Sequence, residues 1–243
     1  MKVNLQSILG IAAVSAAGIL NSAASTVSYD FGQVSGGSAP AGTPPWLQAA
    51  FTDVGQPADT VQLTLTAGNL VGNSYVSCWY FNIDPTLNPT ALSFTESGST
   101  GSFTGPTVMT GANGFKAGPD GKFDILFSFS SAGDNSTRFT GGDSVTYTIT
   151  GISGLAADDF NWLSTTSAGG SDAYASAAHV VSGSQDGGCP AWINPTTTSI
   201  LNNFDDGNPN LGVPDASVTI ALLGASLAGI EAFRRKLQSR CAR

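Results

Sequence analysis

The stretch TVQLTLTA, residues 60–67, alternates without a break between polar and apolar side chains. Val61, Leu63 and Leu65 share one face, and the Gln and Thr residues between them share the other. A period of two residues is that of a β-strand, and a single polar face is typical of an antiparallel strand with one side in the core. This stretch therefore predicts a half-buried antiparallel strand.

Three further stretches extend this pattern along the chain. KFDILFSFS (residues 122–130) and SVTYTIT (residues 144–150) alternate in the same way, and the first is expected to point its aromatic and branched side chains inward: Phe123, Ile125, Phe127 and Phe129. VSCWYFNI, residues 76–83, is apolar on both faces and predicts a central strand. Clusters of Gly, Pro, Asn and Asp separate these runs, while residues 32–45 are rich in Gly, Ser, Ala and Pro and predict a loop. The pattern indicates a mainly β protein, an antiparallel β-sandwich of the jelly-roll or immunoglobulin-like kind.

The composition favours an exported β domain over a helical enzyme. Charged residues make up 11% of the 243 residues, against about 25% in an ordinary soluble domain. Residues 25–212 hold fifteen acidic and three basic side chains, a net charge of −12. Such a body repels phosphate backbones, so the charge balance excludes nucleic acid as a partner.

The first residues have the features of a secretory signal peptide. Lys2 precedes ILGIAAVSAAGIL, residues 8–20, and Ser22 and Ala24 are small residues at the −3 and −1 positions of a cleavage site. The sequence predicts a signal-peptide helix in residues 1–24, cut after Ala24. The alternative is an N-terminal membrane anchor, for which the apolar run is short.

A second apolar run lies close to the C-terminus. Residues 216–233 would form about 27 Å of helix, near the hydrocarbon thickness of about 30 Å. A basic cluster follows at Arg234, Arg235 and Lys236, which the positive-inside rule places on the cytoplasmic side of a transmembrane helix. The alternative is an amphipathic or core helix that ends in a basic turn.

The order of these C-terminal features resembles a known sorting signal. Val213, Pro214 and Asp215 precede the apolar run and the Arg-rich end, and this combination is similar to the PEP-CTERM signal and its VPDSG-CTERM variant. The chain departs from that variant in having Ala-Ser after Asp215. The resemblance implies a substrate of an exosortase, which is a membrane protease of Gram-negative bacteria.

The same resemblance implies a route and a set of partners. The export machinery would carry the chain across the inner membrane, the C-terminal helix would hold it in the membrane, and the exosortase-like protease would cut near Pro214 and Asp215. The product would reside in the cell envelope, on the cell surface or outside the cell, with extracellular polysaccharide as a further implied partner. Two segments of the body, residues 42–55 and 79–85, also resemble exported domains that accompany such tails, but no activity comes with that resemblance.

The expected organisation has four parts. Residues 1–24 are the signal peptide, 25–204 the exported β-sandwich domain, 205–212 a flexible linker, and 213–243 the sorting signal. Chemistry-bearing residues are sparse in the body. The chain has a single histidine, His179, and no GxSxG motif of a serine hydrolase. Its content of His and Cys is too low for a zinc site.

The three cysteines leave a pairing open. Cys241 lies in the tail, so Cys78 and Cys189 remain in the body and form an even pair in an oxidising compartment. A disulfide between them and a free, buried Cys78 are both compatible with the sequence.

Other patterns support alternative functions. Residues 120–124 and 205–208 resemble calcium loops without fitting the EF-hand spacing, and turn formation explains them equally well. Aromatic side chains offer a sugar-stacking platform or core packing: Trp46, Trp79, Trp162, Tyr174 and Trp192. The neighbouring Asp158 and Asp159 are a weak sign of glycoside hydrolysis. We therefore expect a non-enzymatic body without cofactor or metal. The alternatives are a carbohydrate- or calcium-binding adhesion module and a secreted hydrolase.

Overall fold

A computed structural model describes residues 24–166, 172–182 and 190–196, and this part of the chain is mainly β. It contains two short 3₁₀ turns, Pro89–Ala91 and Ala157–Phe160, and eleven strands. The strands are β1 (Thr26–Gly36), β2 (Leu47–Thr52), β3 (Val61–Thr66), β4 (Tyr75–Phe81), β5 (Ser93–Thr100), β6 (Thr107–Lys116), β7 (Lys122–Ser128), β8 (Phe139–Thr140), β9 (Ser144–Thr150), β10 (Ser176–Val181) and β11 (Ala191–Pro195).

All eleven strands belong to one antiparallel sheet, in which β1 joins two halves. The order is β5-β9-β3-β2-β1-β11-β10-β4-β7-β6, and the short β8 pairs with β4. Up to Phe31, β1 pairs with β2; from Phe31 to Gly36 it pairs with β11, with shifts of register after Phe31 and after Val34. Such irregularities bend a strand and increase its twist. One strand can therefore take part in both halves.

The core lies between the two halves. Phe94 of β5 meets Phe127 of β7 edge to face, with 5.5 Å between the ring centroids, and Phe51 of β2 meets Phe81 of β4 at 5.1 Å. Each pair joins strands that lie far apart in the sheet order. The sheet therefore folds over, and the apolar faces that the alternating sequence creates pack against each other.

A second apolar cluster lies on the opposite face of β4. Tyr80, Ala117, Phe123 and Ala177 pack there, and Trp192 contacts them. The turn between β6 and β7 approaches the Trp192 ring so closely that a Cβ on Gly118, where φ is +42°, would lie 2.4 Å from it. Only glycine fits this close approach.

The structure confirms the four strands that alternation or apolar character predicts, as β3, β7, β9 and β4. Phe123, Ile125, Phe127 and Phe129 are all buried, as expected, and Phe123 belongs to the second cluster while the other three belong to the main core. One detail of the prediction is wrong. The predicted loop at residues 32–45 begins only after Gly36, because the second part of β1 is needed to pair with β11.

The terminal segments lie outside the described residues. This applies to the predicted signal peptide before residue 24, to the linker at 205–212 and to the whole sorting signal, so these assignments stay predictions. Among the residues that the structure describes, no helix combines the length and the apolar character needed to cross a membrane.

Candidate functional site

A cleft of about 170 Å³ opens where β4, β6 and β7 meet the segment that follows the second 3₁₀ turn. The end of β4 contributes Asn82 and Asp84, β7 contributes Asp124, and the segment after residue 160 contributes Trp162 and Thr165. The three segments lie far apart in the chain, so the sheet topology brings them together. The walls combine amide, carboxylate and hydroxyl groups with apolar side chains, as ligand-binding clefts do.

Asp124 fixes one wall of this cleft. Its side chain is only 9% exposed, and its two carboxylate oxygens accept hydrogen bonds from the backbone N–H groups of Asn113, at 2.7 Å, and Ile83, at 3.2 Å. Asn113 has a φ of +49°, a left-handed conformation that Asn tolerates better than most residues. One carboxylate therefore ties the irregular part of β6 and the end of β4 to β7.

Asn82 and Asp84 fix the opposite wall. The Asn82 side-chain amide donates to the carbonyl oxygen of Trp162 at 3.3 Å, which holds the Trp162 segment against the end of β4. The N–H of Asp84 donates to the carbonyl oxygen of Asp159 at 2.7 Å. The Asp84 carboxylate accepts from the N–H and the hydroxyl of Thr86, which forms a tight Asx turn at the rim.

Trp162 is the exposed aromatic side chain of the cleft. It is 41% exposed and Leu163 beside it is 38% exposed, whereas Trp46 and Trp79 are buried in the core and Trp192 is half-buried over the turn at Gly118. An exposed indole offers a flat apolar face, and the neighbouring amide and carboxylate groups offer hydrogen bonds. This combination suits a ligand with one apolar face and a polar edge, such as a sugar ring.

Carboxylates gather beside the cleft. Burial raises the pKa of Asp159, and the charges of Asp84, Asp158 and Asp53 raise it further. Asp158 and Asp159 belong to the 3₁₀ turn Ala157–Phe160, and the Asp159 carboxylate accepts a hydrogen bond from the N–H of Ala156 at 2.9 Å. Asp159 therefore has a structural role in the turn.

His179 contacts a serine that the sequence did not single out. Ser77 Oγ lies 2.7 Å from His179 Nδ1 and 3.2 Å from the carbonyl oxygen of His179, and the imidazole packs on Trp192 with 4.7 Å between the ring centroids. Burial lowers the pKa of His179. Ser77 is an extra residue in β4, because the register shifts between the pairs of Cys78 with His179 and of Val76 with Val180.

This geometry favours a structural role for Ser77 and His179. Within the described residues, Ser77 is the hydrogen-bond partner of the imidazole, and the same hydroxyl also contacts the backbone of His179. A hydrolytic triad would need an acid that orients the imidazole. Burial is the cause of the lowered pKa of His179, and among the described residues the imidazole bonds to Ser77 rather than to a carboxylate.

The structure describes only one cysteine of the proposed disulfide, but it describes the whole of the first calcium-like loop. Cys78 is half-buried on β4, and Cys189 lies outside the described residues, so their pairing stays a prediction. Asp120 is 1% exposed in the turn between β6 and β7, where burial raises its pKa although Ser35 and Asn194 favour its charged form. Across residues 24–166, 172–182 and 190–196, no group of three or more His, Cys, Asp or Glu residues is arranged to hold a metal ion.

The sorting residues Val213, Pro214 and Asp215 and the basic cluster Arg234, Arg235 and Lys236 lie outside the described residues, and no geometry is assigned to them. Comparison with protein families, with curated proteins and with solved structures finds no match to this chain.

Proposed function

We propose that this chain is an exported protein of the cell envelope or extracellular matrix, sorted through its C-terminus by an exosortase-type protease, and that its β body has a non-enzymatic role. The observation that carries this proposal is the order of features at the two ends. Lys2 and an apolar run stand at the N-terminus, while Val213, Pro214 and Asp215 precede an apolar run and a basic cluster at the C-terminus.

The extent of the β body agrees with this organisation. The described strands begin at Thr26 and end at Pro195, within the residues that the proposal assigns to the exported body. The residue after the predicted cleavage position, Ser25, directly precedes β1.

The architecture of the body also supports a finer description. A sheet whose halves face each other across an aromatic core, joined by a strand that belongs to both, is compatible with a β-sandwich of the jelly-roll or immunoglobulin-like kind. Exported binding modules often use such scaffolds, so the assignment agrees with the proposed role without defining it.

The sorting proposal predicts processing at both ends of the chain. The intact mass of the protein from its native host should correspond to a start at Ser25 and an end near Pro214. Replacing Pro214 by Ala should abolish C-terminal processing, because it disrupts the motif before the helix. The matched control is Pro209→Ala in the preceding linker, which should be processed normally. A mature protein that retains Arg243 would contradict the sorting proposal.

A second candidate function, carbohydrate binding, is favoured by the exposed Trp162. Its indole lies at a cleft lined by Asn82, Asp84 and Asp124, and sugar rings stack on such faces while their hydroxyls bond to amides and carboxylates. The net negative charge of the body disfavours strongly acidic polymers, so neutral polysaccharide is the better candidate.

This candidate predicts that Trp162→Ala weakens binding of neutral extracellular polysaccharide from the host by about tenfold, the equivalent of losing one good aromatic contact. Calorimetric titration of the purified chain measures the affinity. Met109→Ala is the control, because Met109 is similarly exposed, at 38%, and lies outside the cleft. Equal affinities of the two variants would exclude the cleft as the binding site.

A further inference from the structure

The chain enters β1 through a hydrogen bond to a carboxylate. The N–H of Ser25 donates to Asp53 Oδ1 at 2.5 Å, and the N–H of Asp53 donates back to the carbonyl oxygen of Ser25 at 3.2 Å. The second carboxylate oxygen, Asp53 Oδ2, accepts from the N–H of Ala157 at 3.0 Å. Ala24, in contrast, is exposed, and Ser25 is half-buried. Asp53 therefore holds the nitrogen of Ser25 at the border between the solvent and the folded body.

The surroundings of this nitrogen are negatively charged. The charges of Asp53, Asp84 and Asp158 all raise the pKa of Asp159, so each of these carboxylates lies close enough to Asp159 to act on it. Each of these charged neighbours has the same sign. Two of the three described basic residues, Lys116 and Lys122, flank the turn that carries Gly118, and Arg138 lies over the Tyr75 ring. A positive charge at Ser25 would be attracted to this group of carboxylates.

We propose that Asp53 is a binding site for the α-ammonium group of Ser25, which forms when the signal peptide is removed. This inference rests on the proposed export. Hydrolysis adds one water across the Ala24–Ser25 peptide bond, leaving a carboxylate on Ala24 and an amine on Ser25. The amine takes up a proton at neutral pH, because an ordinary α-amino group has a pKa of about 7.7–8.0. No oxidant or reductant takes part.

Cleavage changes the charge of the donor group at this position and the number of N–H hydrogens that it offers. The unprocessed chain offers Asp53 one neutral N–H, whereas the processed chain offers an ammonium group with three. The Asp53 carboxylate makes a charge-assisted hydrogen bond in both forms, and the ammonium adds the attraction of an ion pair to it. The ammonium also offsets part of the repulsion among Asp53, Asp84, Asp158 and Asp159. The body with a free Ser25 terminus is therefore more stable than the same body with any group attached to that nitrogen.

The test compares forms of residues 25–243 that differ only at the terminal nitrogen. One form begins with a free amine on Ser25, a second is acetylated there, and a third retains Ala24 behind one additional glycine. Acetylation keeps one N–H for Asp53 and removes the charge, so the comparison does not depend on a variant that fails to fold. We expect the free amine to melt about 2–4 °C above both blocked forms at pH 6.5 and low salt, the effect of one partly exposed ion pair in a domain of this size.

Two variants identify the carboxylate responsible. Asp53→Asn should remove the difference in Tm between the free and the acetylated forms. The matched control is Asp158→Asn, which lies in the same acidic group without a contact to Ser25, and it should retain most of the difference. Equal melting temperatures of the free and the blocked wild-type forms would overturn the inference.

A separate measurement keeps this inference apart from the proposed export. The N-terminal sequence of the protein from its native host should begin at Ser25. A different start would contradict the proposed processing site, and Asp53 would then have no ammonium to bind in the cell. A start at Ser25 combined with equal melting temperatures would leave the processing intact and refute the role of Asp53.

Discussion

At the scale of single residues, the buried carboxylates of this acidic protein have different roles. Asp124 accepts two backbone hydrogen bonds, whereas Asp120 is almost completely buried and neither of its carboxylate oxygens has a hydrogen-bond partner of ordinary geometry among the described residues. A buried carboxylate without strong donors favours the neutral acid. The sequence alone does not show this difference, because Asp120 and Asp124 stand in the same short stretch. They differ only in the hydrogen-bond donors that surround each carboxylate in the folded chain.

The raised pKa of Asp120 makes the free energy of unfolding depend on pH. The folded-state pKa lies above the unfolded value of about 3.9, so the contribution to stability is complete below that pH and is lost as the pH rises through the folded pKa. Ser35 and Asn194 face the carboxylate, and the Asp120 charge itself raises the pKa of Tyr174.

Asp120→Asn, which mimics the neutral acid, should therefore gain in Tm over the wild type as the pH increases from 4 to 7. Thermal unfolding at several pH values measures the difference. Glu96→Gln on the exposed strand β5 is the control and should show no such trend. A constant difference for Asp120→Asn across this range would mean that the carboxyl group does not titrate there.

At the scale of elements, strands with a strict alternation or a continuous apolar run were predictable, and strands with neither signal were not. The alternation of Val61, Leu63 and Leu65 predicts β3, because every second side chain enters the core. In contrast, β10 is largely Ala and Ser at its start, and β6 is exposed and rich in small residues, so neither shows a contrast between two faces. The second part of β1 was missed for another reason, since its Gly and Ser residues form a strand only because β11 is available to pair with them.

The cleft depends on links between elements, and Asp124 is the link that unfolding experiments can test. Asp124→Ala leaves the N–H groups of Asn113 and Ile83 without their acceptor, which should lower the free energy of unfolding by about 1–3 kcal/mol. Denaturant unfolding measures this loss. The control Asp172→Ala removes an exposed carboxylate and should change stability by less than about 0.5 kcal/mol. Similar losses in both variants would show that Asp124 does not hold the three strands together.

At the scale of the whole molecule, the sequence predicted the mainly β class of fold, but not the cleft. Trp162 was one of five aromatic candidates, and only the folded chain distinguishes its exposed ring from the buried rings of Trp46 and Trp79. Asn82, Asp84 and Asp124 carry no local motif, because their proximity results from the pairing of β4 with β7 and from the return of the chain at Trp162. The Ser77 contact of His179 likewise requires the register shift in β4.

The double pairing of β1 determines when the sheet can be completed during synthesis of the chain. A ribosome makes β1 first among the strands, yet the second part of β1 finds its partner only when β11 appears, with Phe31 opposite Pro195. At synthesis rates of about 5–20 residues per second, this interval is roughly ten to thirty seconds. Throughout that interval the two halves of the sheet cannot be joined. If the chain is exported as proposed, its sheet thus remains incomplete until nearly the whole body has been made, and the pairing of β11 with β1 completes it.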